Sequence, residues 1–354
     1  MKSELQSLGV KLTTNEIPGR KGGAGPAEGI ILKIKETVMS VPAFSDYVKN
    51  TPYRLHRQRG QWALSAGDDI VTVELPDFRQ FYQKKTSDGK YFSEVALIHG
   101  FDCLATTVIQ SCAYWGTPQS CKFCGIGLSL KNGVTVDKKN PSELAEVAVA
   151  AAEEIGVGHV TLTSGSTYKG NREVDHLAKC AELIKKNTVL GVQVQCRPPR
   201  DPSTLGIFKQ VGVDSVAIHV DSFDGETLSQ VAPNKAKIGL QKYIETWEEA
   251  VRIFGSNQVV SIIIVGLGET DHSVLEGVKL LAEIGVYPLL VPFRPIAGTP
   301  MGSWSPPGPD RMRALYKQAA VILTEKGITW QAIKAGCGRC TACSAMADYQ
   351  TNYA

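Results

Sequence analysis

Val259-Val-Ser-Ile-Ile-Ile-Val265 runs into Gly266-Leu-Gly-Glu269 and then into a helical segment, Ser273–Ile284. The first piece is almost wholly apolar and β-branched, which predicts a strand covered on both faces. The same unit recurs along the chain. Further strands are expected at Cys103–Val108, His159–Thr163, Val192–Cys196, Ser215–Val220 and Leu289–Phe293. Further helices are expected at Ser142–Ile155, Arg172–Lys186, Leu240–Phe254 and Asp310–Lys326. Repeated βα units of this length predict a parallel sheet that closes into a barrel or part of one. Six units predict an open α/β fold, a partial (βα)6 TIM-type barrel over residues 101–332, with Ile328–Gln331 as a possible seventh strand. In such folds the loops at the strand C-termini build the active site.

Residues 1–100 have a different texture. Short runs at Ile30–Ile34, Gln61–Ser65 and Ile70–Leu75 are broken by turns, as in a small β-rich region. That region includes the basic, glycine-rich stretch Gly19-Arg-Lys-Gly-Gly-Ala-Gly-Pro26. With no strand–loop–helix context around it, this stretch reads as a linker or turn before a phosphate cradle.

The chain is 43% hydrophobic and 21% charged, which is ordinary for a folded protein. A net charge of +3 is too small to argue for nucleic acid. The longest apolar run, Val259–Val265, is far short of a membrane span. Met1-Lys-Ser-Glu-Leu-Gln6 has no secretory character, so a cytoplasmic location is expected. In a reducing compartment, clustered cysteines read as metal or redox ligands.

Six of the nine cysteines form two triplets. The first is in Cys112-Ala-Tyr-Trp-Gly-Thr-Pro-Gln-Ser-Cys121-Lys-Phe-Cys124, just past the first expected barrel strand. The second is Cys337-Gly-Arg-Cys340-Thr-Ala-Cys343, within a C-terminal tail over residues 333–354. A closed zinc site wants four protein ligands, whereas a cubane held by three cysteines leaves one iron open. A zinc knuckle at the first loop lacks a fourth ligand, because no histidine lies in it and an extended strand would hold Cys103 about 30 Å from Cys112. Cys180 and Cys196 read as buried apolar cysteines. For the tail triplet, a zinc or redox reading stays open beside the cluster reading, with Ser344 or Arg339 as candidate fourth ligands.

These motifs resemble the radical SAM superfamily. The chain keeps the aromatic residue before the last cysteine, Phe123, but eight residues separate Cys112 from Cys121 where the usual spacing is three. The resemblance implies that Cys112, Cys121 and Cys124 bind the cluster that chelates S-adenosylmethionine (SAM). It implies that Ser164, Gly165 and Ser166, after the second barrel strand, sit where the family binds the methionyl amine. Ile218-His-Val-Asp-Ser222 is similar to a biotin synthase stretch, which implies ribose contact for Asp221 and an active-site position for His219. A satisfied core histidine is the other reading of His219. Gly266, Gly268 and Glu269 fit the family's adenine-side pattern, although Ile262 replaces a glycine, and Glu269 also fits service to the next helix. Pro292-Phe-Arg-Pro-Ile-Ala-Gly-Thr-Pro300 is similar to a biotin synthase segment, which makes Arg294 a candidate for a substrate or cofactor carboxylate or a structural ion pair. The whole chain resembles a branch that includes radical SAM proteins of nitrilase gene clusters and is related to archaeal-type two-component lipoyl synthases.

The resemblance implies two 4Fe-4S clusters, Cys337, Cys340 and Cys343 holding the auxiliary one, with SAM as cofactor. It implies reductive SAM cleavage to a 5′-deoxyadenosyl radical, hydrogen abstraction, and sulfur insertion on an octanoyl-type substrate as in lipoyl and biotin synthases. A ferredoxin or flavodoxin would supply electrons, and an acyl-carrying protein and a second radical SAM protein are possible partners. Radical chemistry in nitrile-linked metabolism, and a non-catalytic zinc or electron-transfer protein, remain as alternatives. No catalytic side chain is singled out.

Overall fold

The computed structural model describes residues 1–13, 17, 28–167 and 172–353. The Gly19–Pro26 stretch lies outside the described residues. Strands β1 (Leu97–His99), β2 (Cys103–Thr107), β3 (His159–Thr163), β4 (Gly191–Gln195), β5 (Ser215–Ala217), β6 (Val259–Val265) and β7 (Val286–Pro292) form one sheet in chain order. Strands β2 to β7 run parallel. β1 is antiparallel to β2, with His99 opposite Cys103. Among the described residues β1 and β7 each have one partner, so the sheet is a curled half-barrel left open.

Helices Pro141–Ala150, Arg172–Asn187, Leu240–Phe254, Asp271–Ile284 and Pro309–Glu325 connect or follow the strands. Their apolar faces bury residues such as Val147, Leu177, Trp247, Val278 and Leu315 in one core with Val160, Val194, Val216 and Leu290 of the sheet. Helix starts follow ordinary capping chemistry. Asn140 accepts from the Ser142 N–H ahead of Pro141, and Thr270 accepts from the Ser273 N–H.

Three expectations are corrected. Ile328–Gln331 is not a strand: Thr329 caps a short 3-10 turn, Trp330–Ala332, and its N–H is taken by the Asn257 side chain. Ser215–Val220 is cut short at Ala217, because the His219 side chain and a left-handed Asp221 (φ 71°) interrupt the ladder. The segment Ser142–Ile155 changes to a π-type turn over Ala151–Ile155 before left-handed Gly156 ends it.

The N-terminal part has its own core of Leu5, Leu32, Met39, Leu55 and Leu64. It contains a four-stranded sheet (Lys11–Leu12, Arg54–Gln58, Gln61–Ala66, Asp69–Val73) and a hairpin, Gly29–Ile34 with Thr37–Pro42. It grips the C-terminal tail: the Ala342 carbonyl accepts from the Ser40 N–H at 2.8 Å and from Gln6 Nε2 at 2.9 Å. Among the described residues no helix is long and apolar enough to cross a membrane.

Candidate functional site

The inward row of the sheet explains the site. Residues at alternate positions face one side of a pleated strand. Ala105 and Thr107, Thr161 and Thr163, His219 and Asp221, Ile262 and Ile264, and Leu289 and Val291 all face a cavity of about 350 Å³. Cys124 and Phe123 line it from the loop after β2, and Cys337 and Cys343 line it from the tail. Both cysteine triplets therefore open on one space.

The first loop is pinned from below. Gly165 N–H donates to the Ile109 carbonyl at 2.8 Å, and Ala113 N–H to the Ser166 carbonyl at 2.8 Å. A Cβ on Gly165 would lie 2.0 Å from the Ser111 carbonyl oxygen. Ser164 turns its hydroxyl onto the Gly165 carbonyl. The segment Ser164–Ser166 thus backs the cysteine loop through its main chain. Above it, Trp115 donates to the Cys124 carbonyl at 3.2 Å and packs on Gly127. Asn234 Nδ2 donates to Cys121 Sγ at 3.3 Å, a contact the sequence did not reveal.

The other expected SAM residues are placed as follows. Asp221 is buried and paired with Lys235 at 2.5 Å, so its carboxylate is already matched by a cation. Glu269 accepts from the Gly266 and Leu267 N–H groups at 2.8 and 2.7 Å and pairs with Arg311 at 2.9 Å. Its carboxylate ties its own loop, and the side-chain cap of the next helix is Thr270. Gly266 and Gly268 have φ of 106° and 118°, which only glycine adopts without strain. Arg294, a candidate for a carboxylate or for a structural ion pair, donates to Ser40 Oγ and O at 3.3 and 3.1 Å while lining the cavity.

The tail is held by polar side chains on the inward row. His159 Nδ1 accepts from Gly336 N–H at 3.0 Å, and Gln193 Oε1 from Cys337 N–H at 3.2 Å. Ser215 and Gln193 donate to the Ala335 carbonyl, and Gln195 donates to Cys337 Sγ at 3.1 Å. Gly336, at φ 86°, sits so close that a Cβ would overlap the Gln193 side chain. The signal was present in the sequence as polar residues at alternate positions of otherwise apolar strands.

Residues 116–281 match the family model described as the Radical SAM superfamily, starting just after Cys112. That segment, just under half of the chain, is similar to the radical SAM domain. A bacteriochlorophyllide c C-7(1)-hydroxylase of Chlorobaculum limnaeum is 24% identical over 333 residues, 88% of this chain and 80% of that protein. A lipoyl synthase of Thermus thermophilus is 26% identical over 171 residues, 48% of this chain and 50% of that protein. The solved structure of HydG, a maturase of the FeFe-hydrogenase, shares the fold at TM-score 0.50 and 16% identity, over 68% of this chain and 53% of that one.

A radical SAM domain implies a 4Fe-4S cluster and SAM, and the first triplet suits that cluster. Burial pushes the Cys124 thiol up to about 12, with Cys121 and Cys112 adding repulsion. Burial also raises Cys121, while Lys235 and Asn234 oppose the rise. Thiols so placed stay protonated until a cationic group takes their protons' place. Among the described residues no three His, Cys, Asp or Glu side chains converge as a single metal ion requires. A cubane holds its thiolates further apart than one ion does. The tail thiols behave alike: burial pushes Cys337 to about 12 and Cys343 to about 11.

His219 is neither free nor a fully satisfied core residue. Its Nδ1 accepts from the Ile262 N–H at 3.0 Å, which leaves the proton on Nε2. Nε2 is buried without a partner among the described residues, in a residue that faces the cavity. Burial, then the Lys235 charge, lowers its pKa to about 3. The unfolded chain therefore binds one more proton than the folded one between about pH 6.5 and 3. Stability is expected to fall as pH drops below about 6.5, by up to about 1.4 kcal/mol per pH unit from this group. Denaturant midpoints between pH 8 and 5 check this: His219→Gln should flatten the slope, and an unchanged slope refutes the assignment.

Proposed function

We propose a radical SAM enzyme with two 4Fe-4S clusters that removes hydrogen from an unactivated carbon of a small, mostly apolar substrate and inserts sulfur there. The supporting observation is the cavity with Cys124 on one side and Cys337 and Cys343 on another. The aliphatic part of its lining, Ile262, Ile264, Leu289 and Val291, suits an alkyl chain, as in an octanoyl group on a carrier protein.

The roles we assign to the chain are these. Cys112, Cys121 and Cys124 hold the SAM cluster, and Cys337, Cys340 and Cys343 hold the auxiliary one. The loops Ser164–Ser166 and Gly266–Glu269 present backbone groups to SAM, and Lys235 pairs with Asp221 beside it. His219 Nε2–H donates into the cavity, and the Arg294 fork is set beside Cys343 to take an acyl carbonyl. Ile262, Ile264, Leu289 and Val291 keep the space dry. A cluster held by Cys112, Cys121 and Cys124 would supply the electron for reductive cleavage of SAM and so the radical chemistry of hydrogen removal. A ferredoxin or flavodoxin supplies that electron in this reading, and a second radical SAM protein is a candidate partner.

Oxygen insertion is the second reading, because the hydroxylase relative spans 88% of the chain. Anaerobic reconstitution followed by SAM, dithionite and an octanoyl carrier separates the two. Sulfur insertion predicts 5′-deoxyadenosine, a thiolated carrier and loss of sulfide from the protein. An oxygenated product with sulfide retained overturns it in favour of hydroxylation. 5′-Deoxyadenosine with no octanoyl product sinks the substrate, leaves nitrile-linked chemistry, and directs attention to the gene's neighbours. Zinc without sulfide sinks the radical reading altogether.

A further inference from the structure

Cys103 is the residue that sequence spacing set aside and the fold brings back. It opens β2, where it pairs with His99 across the hairpin, and its side chain is 1% exposed. On the inward row it precedes Ala105 and Thr107, two positions toward the far end of the sheet from Cys124. The tail docks at that end. There the Cys103 side chain comes within hydrogen-bonding reach of Cys340, with Cys337 close enough to act on it electrostatically. The hairpin turn is shaped for this approach. Gly100, at φ 62°, would carry a Cβ only 3.1 Å from Cys340 Sγ.

The two ligands suggested by the sequence are engaged elsewhere. Ser344 Oγ donates to the Leu290 carbonyl and accepts from Met346 N–H. Arg339 donates to the Lys334 carbonyl and lies 3.9 Å from Asp102. Cys337 and Cys343 face the cavity, whereas Cys103 and Cys340 lie away from it, toward the hairpin turn. Cys340 is thus the link between Cys103 on one side and Cys337 and Cys343 on the other, each of the three close enough to act on it or be acted on by it.

We propose that Cys103 is the fourth ligand of the auxiliary cluster, so that the cluster is closed by Cys103, Cys337, Cys340 and Cys343 with no open iron. This rests on the two-cluster reading above. A closed cluster does not anchor substrate through an iron; whatever it gives the substrate comes from its sulfide or its electrons. Each thiol loses a proton as its sulfur–iron bond forms, and no oxidant is needed.

The test isolates the second site in the full-length chain by Cys112→Ala, Cys121→Ala and Cys124→Ala together. After anaerobic reconstitution this background should hold about four irons and four sulfides. Adding Cys103→Ala should cut iron by at least half or leave a cluster that mild oxidation converts to a three-iron species by EPR. Adding Cys103→Ser, nearly isosteric, should keep iron but shift the EPR spectrum. Cys180→Ala, at a buried cysteine on an outer helix, should change neither. Full iron, an unchanged spectrum and unchanged resistance to oxidation in both Cys103 variants overturn the assignment. If the triple-alanine background itself binds no iron and sulfide, the second cluster falls, and its ligand with it, before Cys103 is touched.

Discussion

On the two-cluster proposal, Gly165→Ala is expected to empty the first cluster site while leaving the second filled. Iron in the reconstituted protein should drop from about eight per chain to about four. SAM cleavage should fall at least about 100-fold, the scale of loss when reacting groups are misplaced by an ångström. The reason is contact with main chain, which cannot step aside as a side chain can. The new methyl would lie 2.0 Å from the Ser111 carbonyl oxygen and 3.2 Å from Cys112 Cα. Relief requires the cysteine loop to lift, which breaks the Gly165 N–H to Ile109 bond and moves Cys112. Overpacking of this kind costs about 1–3 kcal/mol or more. If Gly165 served only the methionyl amine of SAM, the variant would keep its iron and show only a raised KM for SAM. Gly206→Ala, where a Cβ meets nothing within 4 Å, is the control. Full iron and normal cleavage in Gly165→Ala would refute the role.

The barrel was legible because its signals are local. The runs at His159–Thr163 and Val259–Val265 match β3 and β6 end to end, since continuous β-branched segments between helices admit few other structures. The first triplet could be grouped along the chain for a related reason, as its three cysteines lie within one loop. What escaped the sequence depends on side chains replacing backbone. His219 takes the Ile262 N–H and ends β5 early, and Asn257 takes the Thr329 N–H where a seventh strand was expected. Three-dimensional convergence escaped as well. Cys103 could be measured along the chain only against Cys112, whereas its neighbour in space is Cys340, more than two hundred residues away. Lys235 and Asn234 carry no motif, yet they couple the cysteine loop to β5. Glu269 was recognised as a motif residue, but its partner Arg311 lies on a helix beyond another strand.

Lys235→Met should be the most destabilising single change among the charged residues of the site. Lys235 Nζ lies 2.5 Å from Asp221 and 2.9 Å from the His219 carbonyl, with side-chain exposures of 21% for the lysine and 7% for the aspartate. Burial alone would lower the lysine pKa, but Asp221, together with Tyr243 and Cys121, more than compensates and raises it. Replacing a buried pair with apolar groups can be neutral, whereas removing one partner strands the other. The substitution would leave the Asp221 carboxylate buried, without its cation, on a left-handed backbone that Lys235 helps to hold. The expected loss is about 3–5 kcal/mol of unfolding free energy. The neighbouring contact from Asn234 to Cys121 should loosen with it, so SAM cleavage falls too. Two features distinguish this from simple damage. A carboxylate left alone takes up a proton, so the variant should regain stability relative to wild type as pH is lowered from about 7 to 5. Adding Asp221→Asn should restore part of the loss, giving a coupling of about 1–3 kcal/mol in a double-mutant cycle. Denaturant unfolding of the four proteins at two pH values measures both. A Lys235→Met loss below about 1 kcal/mol, or additive effects with no pH dependence, would mean that the pair is solvated and that Asp221 is held in the cavity by its backbone alone.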